Sequence, residues 1–357
     1  MPYSQAQLEA LVIRILTAAG ATASEAAIVA SNLARANMVG HDSHGVIRVA
    51  QYVDQLTAGE IVPGAEAEVT HDFGAVTLID GHRGLGQPMA AVAIKHAVEK
   101  ARSCGVSLTA LRNCGHVGRL GHWAEMASQA GVISLQFVNS QAKAAMVPFG
   151  GRERRMATNP ICAGFPVAGD GSGLIADMTT SSVAEGKLRV AHAAGKSVPE
   201  GWIVDAEGRP TTDPGDFYAG GAMLPVGGHK GYALGLVVDL FAGALSLGGA
   251  TNPVATANTN NLTVIAIDPA AYGAAEATRE IASAFLDYVR SSPPVDPEKP
   301  VMIPGEPEAL TAKQREAEGV ELPAGVWEIV TGAARSAGLS EADLEAVLTE
   351  GALEGVR

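Results

Sequence analysis

The sequence predicts an α/β protein with an α/β domain over residues 75–294 and a discontinuous helical domain built from residues 1–74 and 295–357. Three observations carry this. The first 58 residues show helical periodicity, the middle alternates short β-branched runs with helical segments, and a proline-dense stretch then leads into two more amphipathic segments.

In order along the chain, "SQAQLEALVIRILTAAG" reads as a helix ending at Gly20, and "SEAAIVASNLARANMVG" as a second, from an N-cap at Ser24 to Gly40. A third helix is expected after Ser43. The runs "AVTLIDG", "VSLTALRN", "GVISLQFVN" and "NLTVIAIDP" are short, β-branched and ended by Asn, Asp or Gly, as strands are. Between them "QPMAAVAIKHAVEKARSCG" and "GHWAEMASQAG" have helical patterns. The apolar tract "GYALGLVVDLFAGALSLGG" is interrupted by Asp239 and rich in glycine, which predicts a buried helix of a soluble protein and not a membrane span. "SSPPVDPEKPVMIPGEPE" has too many prolines for a helix or central strand and predicts an extended crossing segment. Two helices in "AGVWEIVTGAARSAGLSEADLEAVLTEGALE" are expected to pack on the N-terminal ones. No repeat of 20 to 50 residues is visible.

With 357 residues the chain is long enough for a large core or two interleaved ones. Its 38 acidic and 25 basic side chains leave a net charge of -13. That balance repels nucleic acid and anionic membrane surfaces and leaves small molecules or proteins as partners, with local cations needed for any anionic substrate. Cys104, Cys114 and Cys162 are odd in number and form no CxxC pair, so neither a disulfide framework nor a thiolate zinc site is indicated, and a reducing cytoplasm fits best. The N-terminus lacks the basic flank and uninterrupted apolar core of a signal peptide.

Chemistry concentrates first in "NMVGHDSHGVIRVAQY". On a helix from Ser43, residues His44, Arg48 and Tyr52 would form one polar stripe at i, i+4 and i+8. Arginine can bind a carboxylate through paired N–H bonds, and a histidine one turn away can exchange a proton, with Ser43 placed to orient its ring. The plain alternative is a solvated helix face. A serine hydrolase is the weaker reading, because triad members converge from separated segments.

A second constellation, "NCGHVGRLGHWAEMA", ends a strand, carries His116 and Arg119 on a glycine-broken loop and opens a helix, whose free N–H groups suit a phosphate. The glycines also suit a mere tight turn. His116 and His122 match no standard zinc spacing, and no metal is expected. A third element, "GGHKGYALGLVVDL", sets His229 and Lys230 at a glycine turn before a helix, another anion site or a simple helix entry. "TNP" at 158–160 and "IADMTTSS" at 175–182 are polar strand ends of the kind that line clefts. "GHRGLGQPMA" has Met89 where a dinucleotide fingerprint needs its third glycine, so it reads as a strand-to-helix turn with Pro88 in the first helical turn. A Rossmann fold is not indicated.

Taken together, "GHDSHGVIRVAQYVDQLTAGEI", "GHVGRLGHWAE", "TNPICAGFP", "DMTTSSVAEGK", "VPEGWIVDAEGRPTTDP", "HKGYALGLVVDLFAGAL" and "IPGEPE" resemble, in order, the malate/L-lactate dehydrogenase family, and within it the bacterial hydroxycarboxylate dehydrogenase B type. The resemblance spans about residues 5 to 345. It implies a non-Rossmann mixed sheet with helices peculiar to the family, a homodimer, and interconversion of a 2-oxo acid and a 2-hydroxy acid with NAD, or with NADP. It implies His44, His116 and Ser43 as catalytic candidates. Arg48, Tyr52 and Thr158 are the substrate-binding candidates. Cofactor contacts are implied for His44, Gly118, Arg119, Leu120, Ser140, Ile175, Ala176, Asp177, Met178, Thr179, His229, Lys230, Asn260, Ile303, Pro304, Gly305 and Glu306.

Members of the family differ over whether the counterpart of His44 or of His116 gives the proton. The family also includes NADPH-dependent cyclic imine (piperideine/pyrroline-2-carboxylate) reductases. Those carry an aspartate where this chain has Lys187, which counts against an imine substrate here and against a Ser-His-Asp relay. Outside this class, a hydrolase using Ser43 would need no nucleotide, and a non-catalytic acid-binding protein would show no nicotinamide response.

Overall fold

The computed structural model describes residues 2–142, 144–168, 173–255 and 259–354. Helices α1 (Gln5–Ala18) and α2 (Ala23–Met38) each open with a capping box, Ser4 with Gln7 and Thr22 with Glu25. The second cap corrects the expected Ser24. Glu25 lies three residues after Thr22 and returns its hydrogen bond, whereas three residues after Ser24 stands Ala27, which has no side-chain acceptor.

The helix expected from Ser43 is also corrected. Two 3₁₀ turns, Asp42–His44 and Val46–Arg48, precede α3 (Val49–Thr57). The break has a tertiary cause: Asn37 donates to Asp42 at 2.7 Å and accepts the Val46 N–H at 2.8 Å. A Cβ on Gly45 would lie 2.2 Å from the Asn37 oxygen, so only glycine fits at the join. Asp42 also holds Arg315 through both carboxylate oxygens, at 2.7 and 3.1 Å.

The rest of the chain runs β1 (Glu68–Phe73), β2 (Val76–Asp80), α4 (Gly86–Cys104), β3 (Val106–Cys114), α5 (Leu120–Gln129), β4 (Ile133–Ser140), β5 (Ile161–Phe165), β6 (Leu174–Met178), α6 (Glu185–Ala193), β7 (Ile203–Val204), β8 (Pro210–Thr211), α7 (Pro214–Tyr218), β9 (Ala222–Met223), α8 (His229–Asp239), β10 (Asn260–Ile267), α9 (Ala275–Arg290), α10 (Glu306–Glu318), α11 (Ala324–Ser336) and α12 (Glu341–Glu354). A mixed seven-stranded sheet has the order β1-β2-β3-β10-β4-β5-β6, beside a small sheet β8-β7-β9. β2 and β3 are parallel, while β10 lies antiparallel between β3 and β4, and β5 antiparallel between β4 and β6. The C-terminal ends of β2, β3, β4 and β6 therefore share one sheet end with the starts of β5 and β10. Open α/β sheets bind ligands at such strand ends.

Two apolar cores support this frame. Leu8, Leu11, Ile15 and Leu33 from the N-terminal helices form one cluster with Val330, Ala334 and Leu344 from α11 and α12. Ile79, Ile94, Leu111, Trp123, Val138 and Val264 join the sheet to α4 and α5 in the other. Each such buried side chain contributes ~1.5–3 kcal/mol relative to an exposed one. β1 has no counterpart among the expected strands, since all six of its residues are exposed and show no apolar alternation.

The proline stretch is irregular to Gly305, but Glu306, Pro307 and Glu308 already form the first turn of α10, a correction to the expected extended segment. Proline is well tolerated in that turn, where the N–H it lacks has no helical acceptor. The apolar tract beginning at Gly231 forms α8 and a π-helical turn at Leu240–Ala244. It is not buried as expected: Leu240, Leu245 and Leu247 are 57, 45 and 69% exposed. Among the described residues no helix is long and apolar enough to cross a membrane.

Candidate active site

The two histidines singled out in the sequence come from distant segments and meet. The His44 and His116 rings stack with centroids 5.6 Å apart. Tyr52, on the first turns of α3, reaches His116 Nδ1 with its hydroxyl at 2.7 Å. The broken helix thus unites His44, Arg48 and Tyr52, though not as the continuous stripe that i, i+4, i+8 spacing predicts. Ser43 Oγ lies 3.1 Å from His44 Nδ1 and orients that ring.

Arg48 folds back on its own segment, donating from Nε to the Ser43 carbonyl at 2.7 Å and from Nη1 to Gln51 at 3.1 Å. Those bonds fix the orientation of the guanidinium. Burial, reinforced by the positive charges of Arg48, His41 and Arg119, pushes the His44 imidazolium down to about 3. His44 is therefore neutral near pH 7. Burial likewise raises the Tyr52 hydroxyl to about 12, so it remains a phenol.

His116 follows the end of β3, and its loop is held from both sides. Asn260 at the start of β10 accepts the Val117 N–H at 3.2 Å and donates to the Asn139 carbonyl at 3.1 Å. Gly115 donates to Gly84 O at 2.8 Å. Gly118 and Arg119 lead into α5, with Arg119 as N-cap and Leu120 as first helical residue. The Arg119 guanidinium is 2% exposed and pairs with Glu125. Asp177 accepts the Gly121 N–H at 2.7 Å, and its carboxyl is raised, chiefly by burial.

Three of the segments proposed to touch a cofactor, the start of α5, β6 and the turn before α10, meet here. Ile175, Ala176, Asp177 and Met178 lie on β6 with Thr179 just after it, and Ile175 N–H donates to Pro304 O at 3.1 Å. That bond ties β6 to the turn Ile303, Pro304, Gly305, Glu306, whose Glu306 carboxylate accepts the Ile303 N–H and Arg290 Nε, each at 2.7 Å. A small cavity between them is lined by Arg35, Arg119, Glu125, Ile175, Gly305 and Glu308. Ser140 ends β4 opposite Asn260. The Thr158 carbonyl accepts both the Thr179 and Thr180 hydroxyls at 2.9 Å, which joins the start of β5 to the end of β6. His229 and Lys230 are exposed at the start of α8, with the His229 ring 5.9 Å from Phe149.

Lys187 is exposed on α6. The first turn of that helix packs on Ser43, for a Cβ on the adjacent Gly186 would lie 2.8 Å from Ser43 Cβ. Among the described residues no group of three His, Cys, Asp or Glu side chains could hold a metal. Sequence reasoning missed Asn37, Gln87, Asn260's contact with the His116 loop, and the His41–Glu308 pair at 3.1 Å beside the cavity. None carries a local motif: Gln87, Asn260 and His41 act on residues distant in sequence, and Asn37 acts across a helix end.

Fold and site together define an oxidoreductase of the hydroxy acid dehydrogenase class. The chain belongs to the malate/L-lactate dehydrogenase family, whose model matches residues 3–331. It is 37% identical to hydroxycarboxylate dehydrogenase B of Escherichia coli (strain K12) over 347 residues, 95% of each chain. Malate dehydrogenase of Pyrococcus horikoshii superposes with a TM-score of 0.85 at 31% identity, covering 95% of this chain and 96% of that one. Delta1-piperideine-2-carboxylate reductase of Pseudomonas syringae gives 0.82 at 30% identity, with 93 and 99% covered.

The family implies a nicotinamide cofactor. The residues present fit one: α2, α5, β6 and the turn before α10 meet around one small cavity, two arginines line it, and the N-terminus of α5 adjoins it.

Proposed function

We propose that this protein reduces a 2-oxo acid to a 2-hydroxy acid, and catalyses the reverse, with His116 as the acid/base and Arg48 as the carboxylate anchor. When bound, the nicotinamide supplies the hydride that reaches the 2-carbon of the oxo acid. The oxygen of that carbon becomes an alkoxide, and a histidinium beside it gives the proton and offsets the developing charge. The observation that supports the assignment is the Tyr52 hydroxyl 2.7 Å from His116 Nδ1, a partner from a distant element that fixes this ring beside the His44 ring. His44, neutral and oriented by Ser43, borders the reacting pair.

NAD is the proposed cofactor. A 2′-phosphate would want a free cation, and of the arginines in the cluster Arg152, Arg154 and Arg155 two are engaged within the chain: Arg154 donates to the Gly221 and Phe217 carbonyls and stacks on Phe217, and Arg155 pairs with Glu153. A homodimer is proposed because the exposed apolar side chains of α8 and the π turn form a strip that a second copy would cover. A cytoplasmic location is proposed on the three unpaired cysteines. The reading that the P. syringae relative suggests, reduction of a cyclic imine, is second, and Lys187 stands against it.

Absorbance at 340 nm with purified protein, NADH or NADPH, and a panel of 2-oxo acids with a cyclic imine tests the proposal. Oxidation of NADH by an oxo acid is expected. Turnover of the imine alone would replace the substrate assignment.

A further inference from the structure

The turn "GHRGLGQPMA", which fails as a dinucleotide fingerprint, lies directly beneath His116. A Cβ on Gly86 would sit 2.2 Å from the Gly115 carbonyl oxygen and 2.3 Å from that of His116, so only glycine lets α4 approach this closely. The next residue, Gln87, is 0% exposed and donates from Nε2 to the Tyr52 hydroxyl at 2.7 Å. That hydroxyl is 2.7 Å from His116 Nδ1. The Gln87 Oε1 atom is buried without a partner among the described residues. A buried amide with one end engaged and the other vacant is uncommon and calls for a physical reason.

We propose that Gln87 is a positioning residue that, through Tyr52, determines which nitrogen of His116 carries the ring proton. The proposal rests on His116 being the acid/base. A phenol has one proton to give. While Gln87 Nε2–H occupies the Tyr52 oxygen, the Tyr52 proton points to His116 Nδ1, and the neutral ring keeps its own proton on Nε2. When His116 takes up a proton at Nδ1, that N–H donates to Tyr52, and the phenol proton turns to Gln87 Oε1, presented by a half-turn of the terminal amide. In both states His116 Nδ1 and the Tyr52 hydroxyl are then fully bonded. Transfer of the Nε2 proton to the substrate alkoxide leaves the neutral Nδ1–H ring still bonded to Tyr52, and one proton from water at Nε2 restores the imidazolium.

The test compares wild type, Gln87→Met, Tyr52→Phe and the double variant, with His116→Gln as control. Long-range ¹⁵N–¹H spectra of histidine-labelled protein read the His116 tautomer without turnover. Neutral wild-type His116 is expected to be mainly the Nε2–H form, and Gln87→Met to shift it towards an even mixture. In kinetics, Gln87→Met is expected to lower kcat about tenfold with KM changed less than twofold, as an effect on general acid catalysis. It is expected to add nothing in the Tyr52→Phe background. An unchanged tautomer in Gln87→Met overturns the proposal, as does an equal loss from that substitution with and without Tyr52. An active His116→Gln would instead overturn the acid/base reading, and the tautomer spectra would still judge Gln87.

Discussion

His44 and His116 face each other at 5.6 Å, yet their supports differ in kind. His44 sits on a short 3₁₀ turn whose contacts to the ring and its neighbour are local, Ser43 on its ring and Arg48 folded back on the Ser43 carbonyl, while Asn37 from α2 fixes the turn itself. His116 is held by distant elements, with β10 fixing its loop through Asn260, α4 packed on its backbone, and α3 reaching its ring. Burial, with cations from its own segment and from Arg119, keeps the His44 ring neutral. The long-range support leaves the His116 ring oriented by a neutral phenol. On the proposed reading two identical side chains are given different work, the usual way a site separates acid from spectator.

If that contrast is right, the largest effect belongs to His116. Replacement by alanine is expected to lower kcat ~10²–10⁴-fold with a smaller change in KM, whereas His44→Ala loses less. Steady-state kinetics on both variants would reverse the assignment if His44 proved the costlier. Arg48→Ala comes next: losing a charge-assisted anchor worth ~1.5–3 kcal/mol per bond should reduce kcat/KM roughly ten- to hundredfold, mainly through KM. Gly86→Ala probes the long-range support. Its methyl group would strike the Gly115 and His116 carbonyls, so a stability loss of about 1–3 kcal/mol is expected in denaturant melts, with activity falling in parallel.

Smaller effects follow from burial. His44 titrates near 6.5 when unfolded and about 3 when folded, so the unfolded chain takes up its proton first as pH falls. Its contribution to stability is complete above pH 6.5 and is lost progressively from there to about 3. Thermal melts from pH 7 to 4 should show this slope, and His44→Gln should make it shallower. Leu240→Asp is expected to halve the mass in solution by breaking the exposed apolar strip, and an unchanged mass would dismiss that face as the dimer contact.

Much of the frame was legible in the sequence. β2, β3, β4 and β10 are β-branched runs closed by turn residues, and α4 and α5 lie between them as the pattern predicts. β1 was not, because a fully exposed edge strand needs no apolar alternation. At the site, residue types were legible but their geometry was not. The spacing of His44, Arg48 and Tyr52 describes a continuous helix, and the side chain of Asn37, on another helix, overrides it. Gln87, Asn260 and Glu308 left no local signal, since each acts only through a tertiary contact.

The most direct test of the account is the rate of NADH oxidation by a 2-oxo acid in wild type, His44→Ala and His116→Ala, with solvent deuterium isotope effects. The account predicts that His116→Ala nearly abolishes turnover and that His44→Ala keeps a measurable rate with a wild-type-like isotope effect. Wild-type turnover in His116→Ala would contradict it.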